Sequence, residues 1–234
     1  MTIAEKILAA KSGRSSVTPG EIVEAYPDLV MSHTATWRSV SVMQRIGATR
    51  LYDPDRLAIV LDHISPAKTE KYAADQQISR NFARQYGIRK FYDIDAGIAH
   101  LVLMEAGHVA PGDLIVGTDS HCTIYGSLGA LGTGIGYTEV TSVWITGKLW
   151  MKVPESIKIT LRGRFAAGVY AKDLMLHLIG KLPAVILPGL VTAFGVFWMT
   201  QYLESALPYE LIEAARVDGA SMIRTFFFFS TLAM

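Results

Sequence analysis

Cysteine is nearly absent from this chain: Cys122 stands alone among 234 residues. That excludes an internal disulfide, and with it the small cross-linked scaffolds of secreted proteins. Excess charge of either sign is missing too. With 22 basic and 21 acidic side chains and a net charge of +1, nothing points to nucleic acid or an anionic membrane surface as the main partner. The opening residues, MTIAEKILAAKSG, lack the unbroken apolar core of a signal peptide, because Glu5, Lys6 and Lys11 interrupt it. A cytoplasmic start is the expectation. They read instead as a short amphipathic helix, with Thr2 and Glu5 at capping-box spacing and Gly13 as its stop. Internal repeats are lacking, and the run Phe226–Phe229 is the one low-complexity feature. One long stretch, Leu182 to Leu203, carries no charged side chain at all.

What is present upstream of that stretch reads as alternating strands and helices. The run LAIVL at Leu57–Leu61 is too short for a helix and contains β-branched residues, so a buried strand is expected. Residues 68–86 place Ala73, Ile78, Phe82 and Tyr86 at helical spacing and end at Gly87. A second strand is expected around Lys90–Ile94, followed by Gly97-Ile-Ala-His100 and a helix through Glu105. Pro111-Gly112 makes a turn, and a third strand over Asp113–Val116 runs into Gly117-Thr-Asp-Ser-His121. After the glycine-rich run GSLGALGTGIG come a helix to Trp150 and a strand near Ile157–Leu161. Such alternation argues a mainly parallel sheet with helices on its faces.

Position matters more than composition here. Asp62-His63 and Asp119-Ser120-His121 each fall just past the carboxyl end of an apolar strand, and His100 follows another. In open α/β sheets that edge is where ligands bind. A carboxylate beside an imidazole orients the ring and favours its protonated form, which suits general acid chemistry. A single strand-end Asp-His is more often a satisfied loop pair. Two sets with a third histidine carry more weight.

Several linked motifs, in order, resemble the large subunit of the aconitase family. They are VLDH (Val60–His63), GIAH (Gly97–His100) and GTDSH (Gly117–His121) with GALGTGIG behind it. TIAEKIL at the start, PGEIV at Pro19–Val23 and GKLWMKVPESIKITLRG at Gly147–Gly163 are similar to the same family, of the 3-isopropylmalate dehydratase and homoaconitase type. The resemblance runs from residue 1 to about Gly180. It implies a hydro-lyase that removes and re-adds water on a hydroxy di- or tricarboxylic acid. It also implies a small-subunit partner and a four-iron, four-sulfur cluster that binds the substrate hydroxyl. By motif, Asp62 and His63 resemble the pair that protonates the departing hydroxyl. His100, Asp119 and His121 resemble further catalytic positions, with Ser120 and His33 as substrate contacts. His33-Thr34 and Leu101 depart from the family pattern, and His33 reads more readily as a satisfied loop histidine than as a substrate contact. His108 and His177 match no catalytic position and read as surface or helix-end residues. A nucleotide site is a poor reading of the glycine run, since GxGxxG does not occur in order.

The family holds its cluster with three cysteines that lie beyond the resembling segment. Cys122 alone cannot hold a cluster of that kind, and it sits beside the DSH motif, away from any ligand position. No histidine or carboxylate is assigned to a metal, and no cluster is expected on this chain.

From Lys181 onward the character changes. As a helix, Leu182–Leu203 would be about 33 Å long, enough to cross a bilayer core; a buried apolar helix is the alternative. The following LPYELIEAARVDGAS (Leu207–Ser221) starts with Pro208 at a first-turn position and stops at Gly219. With LPGLVTAFGVFWMTQYL before it, this resembles the inner-membrane permease subunit of carbohydrate ABC importers. That resemblance implies an ABC ATPase partner docked through Glu213, Ala214, Ala215, Asp218 and Gly219, a helix-in-groove contact. The expectation is therefore a partial, aconitase-like three-layer α/β/α domain over residues 1–180. An α-helical membrane-type segment over 181–234 would follow it, in the inner membrane, so the chain reads as a fusion of pieces of two families, with a non-physiological fusion as the alternative.

Overall fold

The computed structural model describes residues 1–181, with side chains up to 176. Its chain divides into two compact units, Met1–Ile159 and one beginning at Thr160. In the first, α1 (Ile3–Lys11) leads to β1 (Ile22–Ala25), β2 (Leu29–Ser32), α2 (Thr36–Arg45), β3 (Leu57–Val60) and α3 (Glu70–Tyr86). Then come β4 (Lys90–Tyr92), α4 (Ala99–Glu105), β5 (Leu114–Gly117), a 3-10 helix (Ser120–Leu128), β6 (Leu131–Gly134), α5 (Tyr137–Thr146) and β7 (Leu149–Lys152). In the second unit, residues 160–170 are irregular and α6 covers Ala171–Lys181.

Local chemistry accounts for the helix ends. Thr2 caps α1, its hydroxyl accepting the Glu5 N–H while the Glu5 carboxylate accepts the Thr2 N–H, the expected capping box. The Thr69 hydroxyl accepts from the Tyr72 N–H at the start of α3, and Gly87 ends that helix in the left-handed conformation at φ 65°.

Five strands form a parallel sheet in the order β4-β3-β2-β5-β6. From β2 the chain steps outward to β3 and β4, then returns to the other side of β2 to lay down β5 and β6. Alternation along the strands sends side chains to two apolar layers. Val30, Leu57, Ile59 and Val116 pack with Val40 and Met43 of α2, Phe82 of α3, and Val143 and Trp144 of α5. Leu29, Met31, Ala58, Val60 and Ile115 pack on the opposite face with Ala99 and Leu103 of α4 and with Cys122 and Tyr125. Helices on one face for the outward steps and on the other for the return steps are what right-handed crossovers require. The result is the expected three-layer α/β/α arrangement. Burial on both faces leaves β2, β3 and β5 with no exposed residue, the pattern of a central parallel sheet.

β1 and β7 form a separate antiparallel ribbon, Val23 opposite Met151 and Ala25 opposite Leu149. Its inner face shares a smaller core with Ile7 and Leu8 of α1 and with Leu114. Two expectations fail in this region. The helix expected to reach Trp150 ends at Thr146, because Gly147 turns the chain at φ 76° and Leu149–Lys152 pair with β1 instead. The strand expected near Ile157–Leu161 does not form: that segment is irregular, with Ile157 55% and Leu161 57% exposed. Without a buried face or a partner strand, β-branched composition alone does not make a strand. No helix among the described residues is long and apolar enough to cross a membrane. The expected membrane helix at 182–203 and the coupling loop at 207–221 lie outside the described residues.

Candidate functional site

The strand order reverses between β2 and β5, and open α/β sheets bind ligands at the carboxyl edge beside such a reversal. There β2 delivers His33, β3 delivers Asp62 and His63, and β5 delivers Thr118 and Asp119. Asp119 also caps the 3-10 helix, its carboxylate accepting the His121 N–H at 2.7 Å.

Asp119 is the hub. Its Oδ1 lies 2.8 Å from His121 Nδ1 and 3.3 Å from His100 Nε2, and its Oδ2 lies 3.4 Å from His63 Nε2. Burial opposes its ionisation. The His121 N–H and ring and the His100 ring outweigh that and hold the carboxyl down to about 2. Asp62 sits under His63, with Oδ1 accepting from the His63 N–H at 2.8 Å and lying 2.7 Å from its Nδ1. Its other oxygen, Oδ2, accepts the Ala99 N–H at 2.8 Å, which ties the pair to the start of α4. The Asp62-His63 and Asp119-centred sets are therefore one connected network, joined through His63.

His33 stacks on His63 with ring centroids 4.3 Å apart. Both its nitrogens are occupied by backbone: Nδ1 accepts from the Ala35 N–H at 3.3 Å, and Nε2 lies 3.3 Å from the Thr118 carbonyl. Burial lowers its pKa, and His63 alongside lowers it further. A satisfied histidine forming a wall of the site is the better description of it. Ser120 is exposed beside His121, whose side chain is 81% exposed, whereas His100 is buried. A cleft of about 480 Å³ opens against Asp62 and His63 and is further lined by Ser65, Asp95, Gly97 and Ile98. Two non-glycine residues beside it take left-handed backbone conformations, Ile64 at φ 57° and Asp95 at φ 69°. For β-branched Ile64 this costs roughly 1–3 kcal/mol, a strain that clusters at functional sites.

Sequence reading missed three residues that shape this place. Thr118 holds His33 through the His33 N–H at 3.3 Å, Asp95 lines the cleft, and the Tyr125 hydroxyl lies 3.1 Å from His100 Nδ1. Thr118 was visible in the GTDSH motif itself. Tyr125 left no signal, being one aromatic residue in a glycine-rich run. His108, read as a surface or helix-end residue, lies just past α4 with its N–H donating to the Leu103 carbonyl at 2.9 Å, and its Nε2 lies 2.6 Å from the Tyr92 phenol oxygen. His177 and the docking set Glu213, Ala214, Ala215, Asp218 and Gly219 lie beyond residue 176, outside the described side chains.

Among protein-family models, the aconitase family (aconitate hydratase) matches residues 5–194. The chain belongs to the aconitase family. That match runs past the boundary expected at Lys181, and the comparisons give the permease resemblance no support. Similar curated proteins include the probable 3-isopropylmalate dehydratase large subunit of Methanothermobacter thermautotrophicus, 46% identical over 185 residues, or 79% of this chain and 44% of that protein. The 3-isopropylmalate dehydratase large subunit of Aquifex aeolicus is 43% identical over 183 residues, or 78% of this chain and 42% of that one. The probable methanogen homoaconitase large subunit of Methanothermobacter thermautotrophicus is 45% identical over 187 residues, or 78% and 44%. The chain thus spans less than half the length of these relatives.

The family implies an iron–sulfur cluster, and clusters of that kind need thiolate donors. Cys122 is this chain's single cysteine. It is 0% exposed and lies in the apolar layer beside Tyr125, and burial pushes its thiol up to about 12. The residues present do not fit the cluster. Two trios, His33-Asp62-His63 and His100-Asp119-His121, bring ligand-type atoms within 4.8 Å of one another. Hydrogen bonds already engage both nitrogens of His33 and of His100, and Nδ1 of His63 is bonded to Asp62. That bonding accounts for the clustering without a metal.

Proposed function

We propose that this chain carries the acid–base half of a hydro-lyase site acting on a hydroxy di- or tricarboxylic acid such as isopropylmalate or homocitrate. The observation that carries it is the placement of His63 between two carboxylates, Asp62 at 2.7 Å and Asp119 at 3.4 Å, on the wall of the cleft. Asp62 orients the ring through Nδ1, and a positioned imidazole is a suitable donor of the proton that a departing hydroxyl needs. His121 is held by Asp119 through Nδ1, which leaves Nε2 for a substrate carboxylate. Asp62, His63, His100, Asp119 and His121 are the residues proposed to act, with Ser120 and His33 at the edge of the substrate.

Residues 1–180 are the proposed hydro-lyase segment, cytoplasmic and paired with a small subunit, a reading supported by large-subunit relatives over most of this chain. The chain lacks a ligand set for the cluster, so it is not expected to turn substrate over unaided. The permease reading of 181–234 gains nothing from the comparisons. The family match to residue 194 favours assigning the start of that stretch to the same family.

The test is titration of the full chain, with 15N-labelled histidine, by isopropylmalate and by homocitrate. His63 and His121 resonances are expected to shift with one of them while His108 stays put. Unmoved site histidines at millimolar acid would sink the substrate reading. Turnover by this chain with only a small subunit added would sink the cluster argument.

A further inference from the structure

Tyr125 is the side chain at the site that neither the motifs nor the acid–base reading employs. It is 0% exposed, enclosed by the apolar layer under β2 and β5, and meets the His100 ring edge-on with centroids 5.5 Å apart. Its hydroxyl lies 3.1 Å from His100 Nδ1. The other ring nitrogen, Nε2, lies 3.3 Å from Asp119 Oδ1. His100 is 7% exposed, so solvent does not supply missing partners.

The proton positions follow from the chemistry of each partner. The Asp119 carboxyl is held low and ionised, and a carboxylate only accepts. The nitrogen facing it must therefore be Nε2–H. In the neutral ring Nδ1 is then bare and needs a donor, since a buried acceptor without one costs about 1–3 kcal/mol. Burial raises the Tyr125 phenol well above its ordinary value, so it keeps its proton.

We infer that Tyr125 is a positioning residue: its hydroxyl donates to His100 Nδ1, fixes the ring's plane and aims Nε2–H at Asp119. It is the buried end of a directed chain, Tyr125 to His100 to Asp119, which sets the carboxylate that His121 and His63 both lean on. The assignment rests on the acid–base reading only for its catalytic consequence; the hydrogen-bond direction stands or falls separately.

Nitrogen-15 spectra of the full chain with labelled histidine, near neutral pH, test it without substrate, cluster or partner subunit. The wild-type protein is expected to show His100 as a single tautomer, with a slowly exchanging Nε2–H and a bare, hydrogen-bonded Nδ1. In Tyr125→Phe the Nδ1 resonance should move to that of a nitrogen without a donor. Exchange of the Nε2 proton should quicken about five- to tenfold, the worth of one neutral hydrogen bond. Val109→Ala loosens the same apolar layer without touching the hydroxyl, and should leave the Nδ1 resonance in place. A wild-type His100 protonated at Nδ1 would overturn the proposal, and that reading needs no variant to fold. So would Tyr125→Phe spectra that match wild type. Failure of the acid titration with the His100 signature intact would remove the hydro-lyase reading and leave the Tyr125 assignment standing.

Discussion

Replacing Asp119 by asparagine keeps the side chain's shape and its ability to cap the 3-10 helix, while removing the charge that gathers three imidazoles. The structure sets the size of the effect. The carboxyl falls from the ordinary 3.8 to about 2 despite the opposing effect of burial, and its side chain is 9% exposed, so solvent screens it little. At about 1.4 kcal/mol per pH unit, that difference corresponds to roughly 2 kcal/mol favouring the folded state at neutral pH. The amide also turns an N–H toward His63 Nε2, where a carboxylate oxygen now lies 3.4 Å away. For a domain of this size a loss of about 2 kcal/mol lowers Tm by about 4–8 °C.

The pH dependence follows from the sign of the shift. A carboxyl depressed on folding stabilises fully above its unfolded value, near 4, and that contribution is lost as pH falls toward 2. Thermal melts of wild type and Asp119→Asn, followed by circular dichroism from pH 2 to 7, should differ most at neutral pH and converge at the acid end. A variant melting within about 1 °C of wild type at pH 7, or a constant gap across the range, would refute the view of Asp119 as an ionised hub.

Cys122, buried with its thiol pushed up to about 12, should resist a disulfide reagent in the native protein and react fully once denatured; rapid native labelling would contradict its placement. Reconstitution of the chain with iron and sulfide should yield no stoichiometric four-iron centre, which metal and sulfide analysis reads directly. Gly132→Ala would bring a methyl 2.0 Å from the Cys122 carbonyl oxygen, and should cost about 3 kcal/mol or more. Gly87→Ala meets open space at φ 65°, and should cost only the left-handed backbone penalty of about 1–2 kcal/mol. Urea midpoints compare the two, and equal losses would remove the close-packing argument.

Much of this arrangement was legible from spacing, because short-range chemistry wrote it. Thr2 and Glu5 formed the capping box expected of them, Gly87 stopped α3, and the first four residues of LAIVL became a strand buried on both faces. The strand-end positions of Asp62, His63 and Asp119 followed from the same pattern. What escaped depended on partners distant in sequence. β2 is four residues without alternation, and it is a strand because Leu57–Ile59 and Ile115–Gly117 flank it. β7 exists through its pairing with β1, more than a hundred residues away. Tyr125 reaches His100 only because the 3-10 helix folds back over the sheet.

The glycine run shows how these two kinds of information meet. Read as sequence it suggests close approach of backbone to something, and in the structure that something is the site's own support. A Cβ on Gly134 would lie 2.6 Å from the Asp119 carbonyl oxygen, one on Gly132 2.0 Å from that of Cys122, and one on Gly117 2.7 Å from Cys122 Sγ. All three glycines let β5 and β6 press against the 3-10 helix that Asp119 caps. Side chains at those positions would push that helix off the sheet and carry Asp119, His121 and Tyr125 away from His100. The distances of about 3 Å on which the acid–base network depends are thus set by residues that touch no substrate and bear no chemistry. A hydrogen-bonded cluster is steep in distance and angle, so its precision has to come from backbone packing, which is stiff.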